Sequence, residues 1–114
     1  MIREQFATDY RAMLDAVTDQ QLPTAVCTIY DGRVGDEMQQ SVNVTALAIF
    51  NDIITREAFR RCLPLIDLRL ICNEHHDYSN PIEPSQQGGD KIAAAIVNLV
   101  TRNGTAPGSM VFTG

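Results

Sequence analysis

Apolar residues recur at intervals of three and four from the beginning of the chain, where Ile2 is followed by Phe6, Tyr10, Met13, Leu14 and Val17. That spacing lays them on one stripe of a helix and predicts a core-facing helix. Gln20 to Pro23 interrupts the pattern. The run LPTAVCTIY then shows little polar alternation and many β-branched residues, which predicts a parallel strand buried on both faces over about Thr24 to Tyr30. Asp31, Gly32 and Gly35 carry turn chemistry, and the polar residues through Gln40 lead to a second periodic segment that begins near Ser41. In it Val44, Leu47, Phe50, Ile54, Ala58 and Arg61 keep helical spacing, which places Asn51, Arg56, Glu57 and Arg60 on the wetter side.

Pro64 stops this helix, and LIDLRLI predicts a second short strand, so that strand, helix and strand form a βαβ unit with a right-handed crossover. A loop from about Arg69 to Gln87 follows, longer than ordinary connections and therefore a place to look for function. Helical spacing returns in KIAAAIVNLV, with Ile92, Ala95, Ile96, Leu99 and Val100 as the apolar face and Gly104, Pro107 and Gly108 beyond its end. The expected organisation is one α/β unit over residues 1–104 and a frayed tail over 105–114. Two parallel strands with three helices make an awkward domain, because parallel strands need both faces covered and both edges managed. That arithmetic predicts a missing part.

Composition narrows the function classes. The 114 residues are 45% hydrophobic and 20% charged, as in a globular domain. The net charge of -5, with nine scattered Lys and Arg, gives no basic footprint for nucleic acid or anionic lipid. Met1 to Asp9 has no signal-like apolar core and no stretch reaches transmembrane length, so a cytoplasmic protein with no membrane partner is expected. Cys27, Cys62 and Cys72 form an odd set without C-x-x-C spacing and read as reduced thiols packed as small hydrophobes.

In open parallel sheets, ligands sit outside the carboxyl ends of the strands, here the loops after Tyr30 and Leu70. The second loop holds DYSNPIEPSQQGGDKIA, in which Asn80, Pro81, Ile82, Glu83, Pro84, Ser85 and Gly88 or Gly89 precede the last helix. This block resembles the final block of the SGNH/GDSL hydrolases, where an Asp and a His three residues apart are followed by Pro, a polar turn and a Gly. FATDYRAMLDAV, LPTAVCTIYD and ALAIFNDIITREAFRRCLPLIDLR look like the family's preceding elements, so the resemblance runs from about Phe6 to Val100. It implies an α/β fold of the flavodoxin-like, three-layer α/β/α type with a parallel sheet, of which this chain is the C-terminal part. It also implies ester hydrolysis through an acyl-serine, acting on a small ester substrate. No Gly-Asp-Ser or Gly-x-Asn-Asp motif occurs, so the block that supplies the nucleophile is absent, and the chain alone is expected to be inactive.

Within the matching block Asn80 stands where the family has Asp, and Glu83 where it has His. Imidazole suits the general base because its pKa of about 6.5 lies far nearer neutrality than the roughly 4.3 of a glutamate. Glu83 therefore serves as base only where burial raises its pKa, and otherwise reads as a loop carboxylate. His76, or its neighbour His75, is a candidate displaced base with Asp77 or Glu74 to orient the ring, against the simpler reading of solvated loop histidines. The run Glu74 to Asp77 is a poor metal site because consecutive side chains seldom converge on one ion, and neither metal nor cofactor is expected. Asp31, at the end of the first strand, and Asp67, within the second, either reach a site or cap loops. Gly88 and Gly89 suggest an anion site at a helix start, which Asp90 opposes by its charge. The rival to the hydrolase reading is a non-catalytic α/β module that self-associates through the exposed edge of the Thr24–Tyr30 strand.

Overall fold

Helical periodicity is realised in three long helices of a computed structural model that describes residues 1–102 and 109–114. They are α1 (Ile2–Thr18), α2 (Glu37–Arg60) and α4 (Gln86–Arg102). Between α2 and α4 come strand β2 (Leu65–Ile66), the one-turn helix α3 (Leu68–Ile71) and a 3-10 turn (His75–Asp77), while β1 (Val26–Cys27) precedes α2 and β3 (Val111–Phe112) follows α4. The sheet order is β1-β2-β3, with both pairings parallel.

Adjacent residues of β2 point to opposite faces, as strand geometry requires. Leu65 packs with Ile54 and Ala58 of α2 and with Phe6 and Tyr10 of α1. Ile66 packs with Ala95 and Leu99 of α4, Leu68 and Ile71 of α3, and Phe112 of β3. Helices thus cover both faces of a small parallel sheet, which is the mixed α/β class expected.

Several expectations are corrected. The end of the chain is not a frayed tail: Leu65 and Asp67 donate their backbone N–H groups to Met110 and Phe112 at 2.8 Å each, so β3 closes the second edge of β2 and buries Phe112. Of the predicted tail, 105–108 lie outside the described residues, as do Gly104, Pro107 and Gly108. Both predicted strands shrink to two residues. The second is cut short by Asp67, whose carboxylate accepts from the Arg69 N–H at 3.2 Å and starts α3 inside the predicted strand and loop. The second helix begins at Glu37 rather than near Ser41 because Asp36 caps it, accepting from the Met38 N–H at 3.0 Å. The last helix begins at Gln86, so Gly88 and Gly89 lie within its first turn. On that helix Ala95 and Leu99 are buried, whereas Ile96 and Val100 are exposed.

Asn51 and Glu57, expected on the wet side of α2, are buried. Glu57 sits under α1, where Arg11 Nε approaches at 3.2 Å, Arg60 Nη1 at 2.8 Å and Arg61 Nε at 3.4 Å. Three cations around one carboxylate make its burial tolerable. Cys72 is buried as expected, but Cys27 and Cys62 are exposed free thiols.

Helix α2 ends in a Schellman motif: Leu63 N–H reaches the Ala58 carbonyl at 2.8 Å and Cys62 N–H the Phe59 carbonyl at 3.2 Å. Cys62 occupies the left-handed position with φ of 57°, which glycine adopts without a Cβ penalty. Cys62→Gly is therefore expected to stabilise the chain by about 1 kcal/mol, measured as a higher urea midpoint at unchanged slope.

Candidate functional site

Backbone hydrogen bonding past the end of β1 is taken over by a side chain. Asn51 Oδ1 accepts the Ile29 N–H at 2.8 Å, and Asn51 Nδ2 donates to the Ile29 carbonyl at 3.0 Å, so the buried amide acts as a surrogate strand. The chain then leaves the sheet through Tyr30, Asp31 and Gly32. Gly32 has φ of +75°, and a Cβ there would lie 2.6 Å from the Pro81 carbonyl oxygen, so turn shape and close approach both demand glycine. Gln40, on α2, holds the far side of this loop: its Nε2 donates to the Gly32 carbonyl at 3.0 Å and its Oε1 accepts from the Val34 N–H at 2.8 Å.

The turn that carries Asn80 and Glu83 is clamped to this loop. Tyr78 and Pro84 form an antiparallel bridge at its base, and Ser79 N–H donates to the Glu83 carbonyl at 2.9 Å. At its tip, Asn80 Oδ1 accepts from the backbone N–H groups of Ile82 at 3.0 Å and Glu83 at 2.9 Å. The two carbonyls of the tip are held from the other side, Pro81 by the Arg33 N–H at 2.9 Å and Ile82 by the Tyr30 hydroxyl at 2.7 Å. Tyr78 stands beneath, packed edge-on against Tyr30 at 5.5 Å, donating to the Cys72 carbonyl at 2.7 Å and accepting from Gly32 N–H at 3.3 Å. Burial is the main cause that pushes the Tyr78 phenol up to about 12, so this hydroxyl stays protonated across the physiological range.

Loop, turn and α2 enclose an open cleft of about 470 Å³ at the carboxyl end of β1, lined chiefly by Ile29, Val34, Ala46, Leu47, Pro81 and Ile82. Asp31 also lines it, its carboxyl raised first by burial and then by Asp67, against the lowering effects of Arg69 and Arg33. Glu83 is exposed on the turn beside the lining residue Ile82, and the Tyr30 phenol is raised by burial first, then by Cys72 and Glu83. Asp31 thus lines the cleft, whereas Glu83 does not, although its neighbour Ile82 does. The side-chain oxygen of Asn80 is occupied in building the turn. His75 and His76 are exposed on the 3-10 turn with rings 5.8 Å apart, and neither lines the cleft.

Asp67 and Asp77 have structural partners. The buried Asp67 accepts the Thr28 hydroxyl at 3.0 Å and is gripped by Arg69 at 2.9 and 2.7 Å. Asp77, fully buried, accepts from Lys91 Nζ at 3.0 Å, Gln87 Nε2 at 2.9 Å and Glu74 N–H at 2.9 Å, so it orients the start of α4 and not a histidine ring. Among the described residues, no group of three or more His, Cys, Asp or Glu side chains forms a metal site, and no helix is long and apolar enough to cross a membrane.

These buried carboxylates set an acid limit. Arg69 holds Asp67 below the usual carboxylate range; at Asp77 and Glu57 burial pulls the other way, but hydrogen bonds and cations outweigh it and their pKa values also fall. A folded pKa below the unfolded one gives stability that is complete above the unfolded value of about 4 and is lost as pH falls through the folded value. Asp31, shifted upward, contributes with the opposite sign. The melting temperature is therefore expected to hold from pH 7 to about pH 5 and to drop below pH 4, less steeply in Asp77→Asn.

Sequence reasoning missed Tyr30, Tyr78, Gln40 and Asn51. A tyrosine at a strand end and another at the start of the turn were the signals available, but the surrogate-strand role of Asn51 depends on where α2 docks. No protein-family model, no curated protein and no solved structure matches the chain.

Proposed function

We propose that the chain is the C-terminal part of an SGNH-type, flavodoxin-like hydrolase domain that cleaves carboxylic esters, and that it supplies the turn carrying Glu83. The observation that carries this reading is the position of that turn, clamped by Tyr30 and Arg33 at the rim of an apolar cleft outside the carboxyl end of a parallel strand. The free edge of β1 supports it. On one side of that edge Val17 and Leu22, and on the other Val100, expose apolar surface beside Pro23 and Ala25, as expected where further strands and helices belong. In the complete domain the serine comes from the other half. Glu83 is exposed here, so its role as the base that takes the serine proton, while the hydroxyl oxygen attacks the ester carbonyl, requires that the other half bury it.

Hydrolysis of p-nitrophenyl acetate by the chain alone, and by a protein extended through the upstream reading frame, tests the reading. Activity is expected in the extended protein alone, reduced roughly 100-fold by Glu83→Gln. Equal rates in the extended protein and its Glu83→Gln variant would remove Glu83 from the mechanism, and no serine-dependent activity in either protein would remove the hydrolase.

A second reading, a non-catalytic module that self-associates, is favoured by the absence of any charged residue from Met38 to Asn51 of α2, where Met38, Val42 and Ile49 are exposed. Sedimentation of the 114-residue chain separates the two, since this module forms a stable oligomer without the extension.

A further inference from the structure

We propose that the cleft beside β1 is a subsite for a neutral, apolar acyl chain, and that Asp31 makes it reject a carboxylate. Its place in a reaction rests on the hydrolase reading; the binding does not. The volume of about 470 Å³ is that of a small-molecule site. Its walls are chiefly the apolar residues Ile29, Val34, Ala46, Leu47, Pro81 and Ile82, with Tyr30 and Asn43 beside them, and Asp31 is the one charged residue among those lining it.

The charged groups around Asp31 give an anion no counter-charge inside the cleft. Arg33 lies near but points its guanidinium at the Asn73 carbonyl. Arg69 is held by both oxygens of Asp67, which is itself negative. Glu83, at the rim, adds a further negative charge close to Tyr30. A fatty acyl ester meets mainly apolar contacts there and no like charge, whereas a free carboxylate meets Asp31 in a partly desolvated setting where repulsion is weakly screened. The same asymmetry favours turnover. Hydrolysis by water breaks the acyl C–O bond and leaves an alcohol and a carboxylic acid, which ionises at neutral pH, so the site expels the product it has just made.

The test is amide chemical-shift mapping on the 114-residue chain at pH 7 with three probes that share a six-carbon chain, methyl hexanoate, hexanoate and hexylammonium. Methyl hexanoate is expected to shift the amides of Val34, Ala46 and Leu47, with hexanoate binding about tenfold more weakly and hexylammonium no more weakly than the ester. Asp31→Asn should bring ester and acid within about twofold of each other. Equal binding of ester and hexanoate to the native chain, shifts confined to other residues, or full discrimination in Asp31→Asn would each overturn the proposal. Should that variant not fold, the hexylammonium comparison decides on the native chain: binding weaker than the ester overturns the role of Asp31. Charge-selective binding without esterase activity in the extended protein would leave the subsite standing and remove the hydrolase reading, whereas activity without such binding would do the reverse.

Discussion

Gly88→Ala is expected to destabilise the chain by about 3 kcal/mol, seen as a fall of about 12 °C in melting temperature. The added Cβ would lie 2.1 Å from the Asp77 carbonyl oxygen, 3.0 Å from its carbon and 3.3 Å from the Asp77 Cα. These are backbone atoms, so no rotamer change relieves the overlap, and the first turn of α4 must move away from the 3-10 turn. Movement loosens the Ser85 N–H bond to the Asp77 carbonyl, 2.8 Å, together with the Lys91 and Gln87 contacts to the buried Asp77 carboxylate. Helix propensity alone predicts the opposite sign, since alanine is better than glycine in a helix by about 1 kcal/mol. Gly89→Ala is the control: nothing lies within 4 Å of its Cβ, and it should stabilise. Two neighbouring glycines responding with opposite signs would establish that α4 docks as described, and equal gains at both would refute the docking.

Asn51→Leu should cost roughly 3 kcal/mol while keeping the branching at Cγ, because it leaves the N–H and C=O of Ile29 without their partner. The urea midpoint reads the loss, and hydrogen exchange at the Ile29 amide locates it. An unprotected Ile29 amide in the variant, with protection kept on α4, is the expected pattern. Uniform loss of protection would assign Asn51 to the core as a whole and not to the strand end. The effect reaches the candidate site because Ile29 begins the loop that carries Tyr30 and Asp31 to the cleft.

The helices were legible because period is a local property. Phe6, Tyr10 and Leu14 pack inward from α1, and Ala95 and Leu99 from α4, as their spacing predicts, whereas Ile2, Met13 and Val17, placed on the same stripe of α1, are exposed. The failures have one physical source. Asn51 and Glu57 are polar, so pattern puts them outside; α1 brings Arg11 over Glu57, and the end of β1 brings a backbone amide to Asn51. Val111 and Phe112 are too short a run to announce a strand. They become one because β2 has an open edge, and its peptide groups need partners.

At the site, the block from Asn80 to Ser85 was conspicuous in the sequence as Pro-rich text before a helix, and Glu83 stood out by chemistry. The tyrosines that hold the block were not. A hydrogen bond from Tyr30 to the Ile82 carbonyl spans 52 positions, and nothing in either neighbourhood encodes the other.

By itself, then, the amino-acid order determined where the long helices form, the alternation of helix and strand that makes a parallel sheet, and which residue types were available for chemistry, because each follows from nearest-neighbour spacing and side-chain character. Only the tertiary structure decided which polar groups are buried, that the end of the chain joins the sheet, and that Pro81 and Ile82 meet Asp31 at one cleft. Those outcomes depend on satisfying backbone and charged groups across distant segments, and that demand exists only once the segments are packed together.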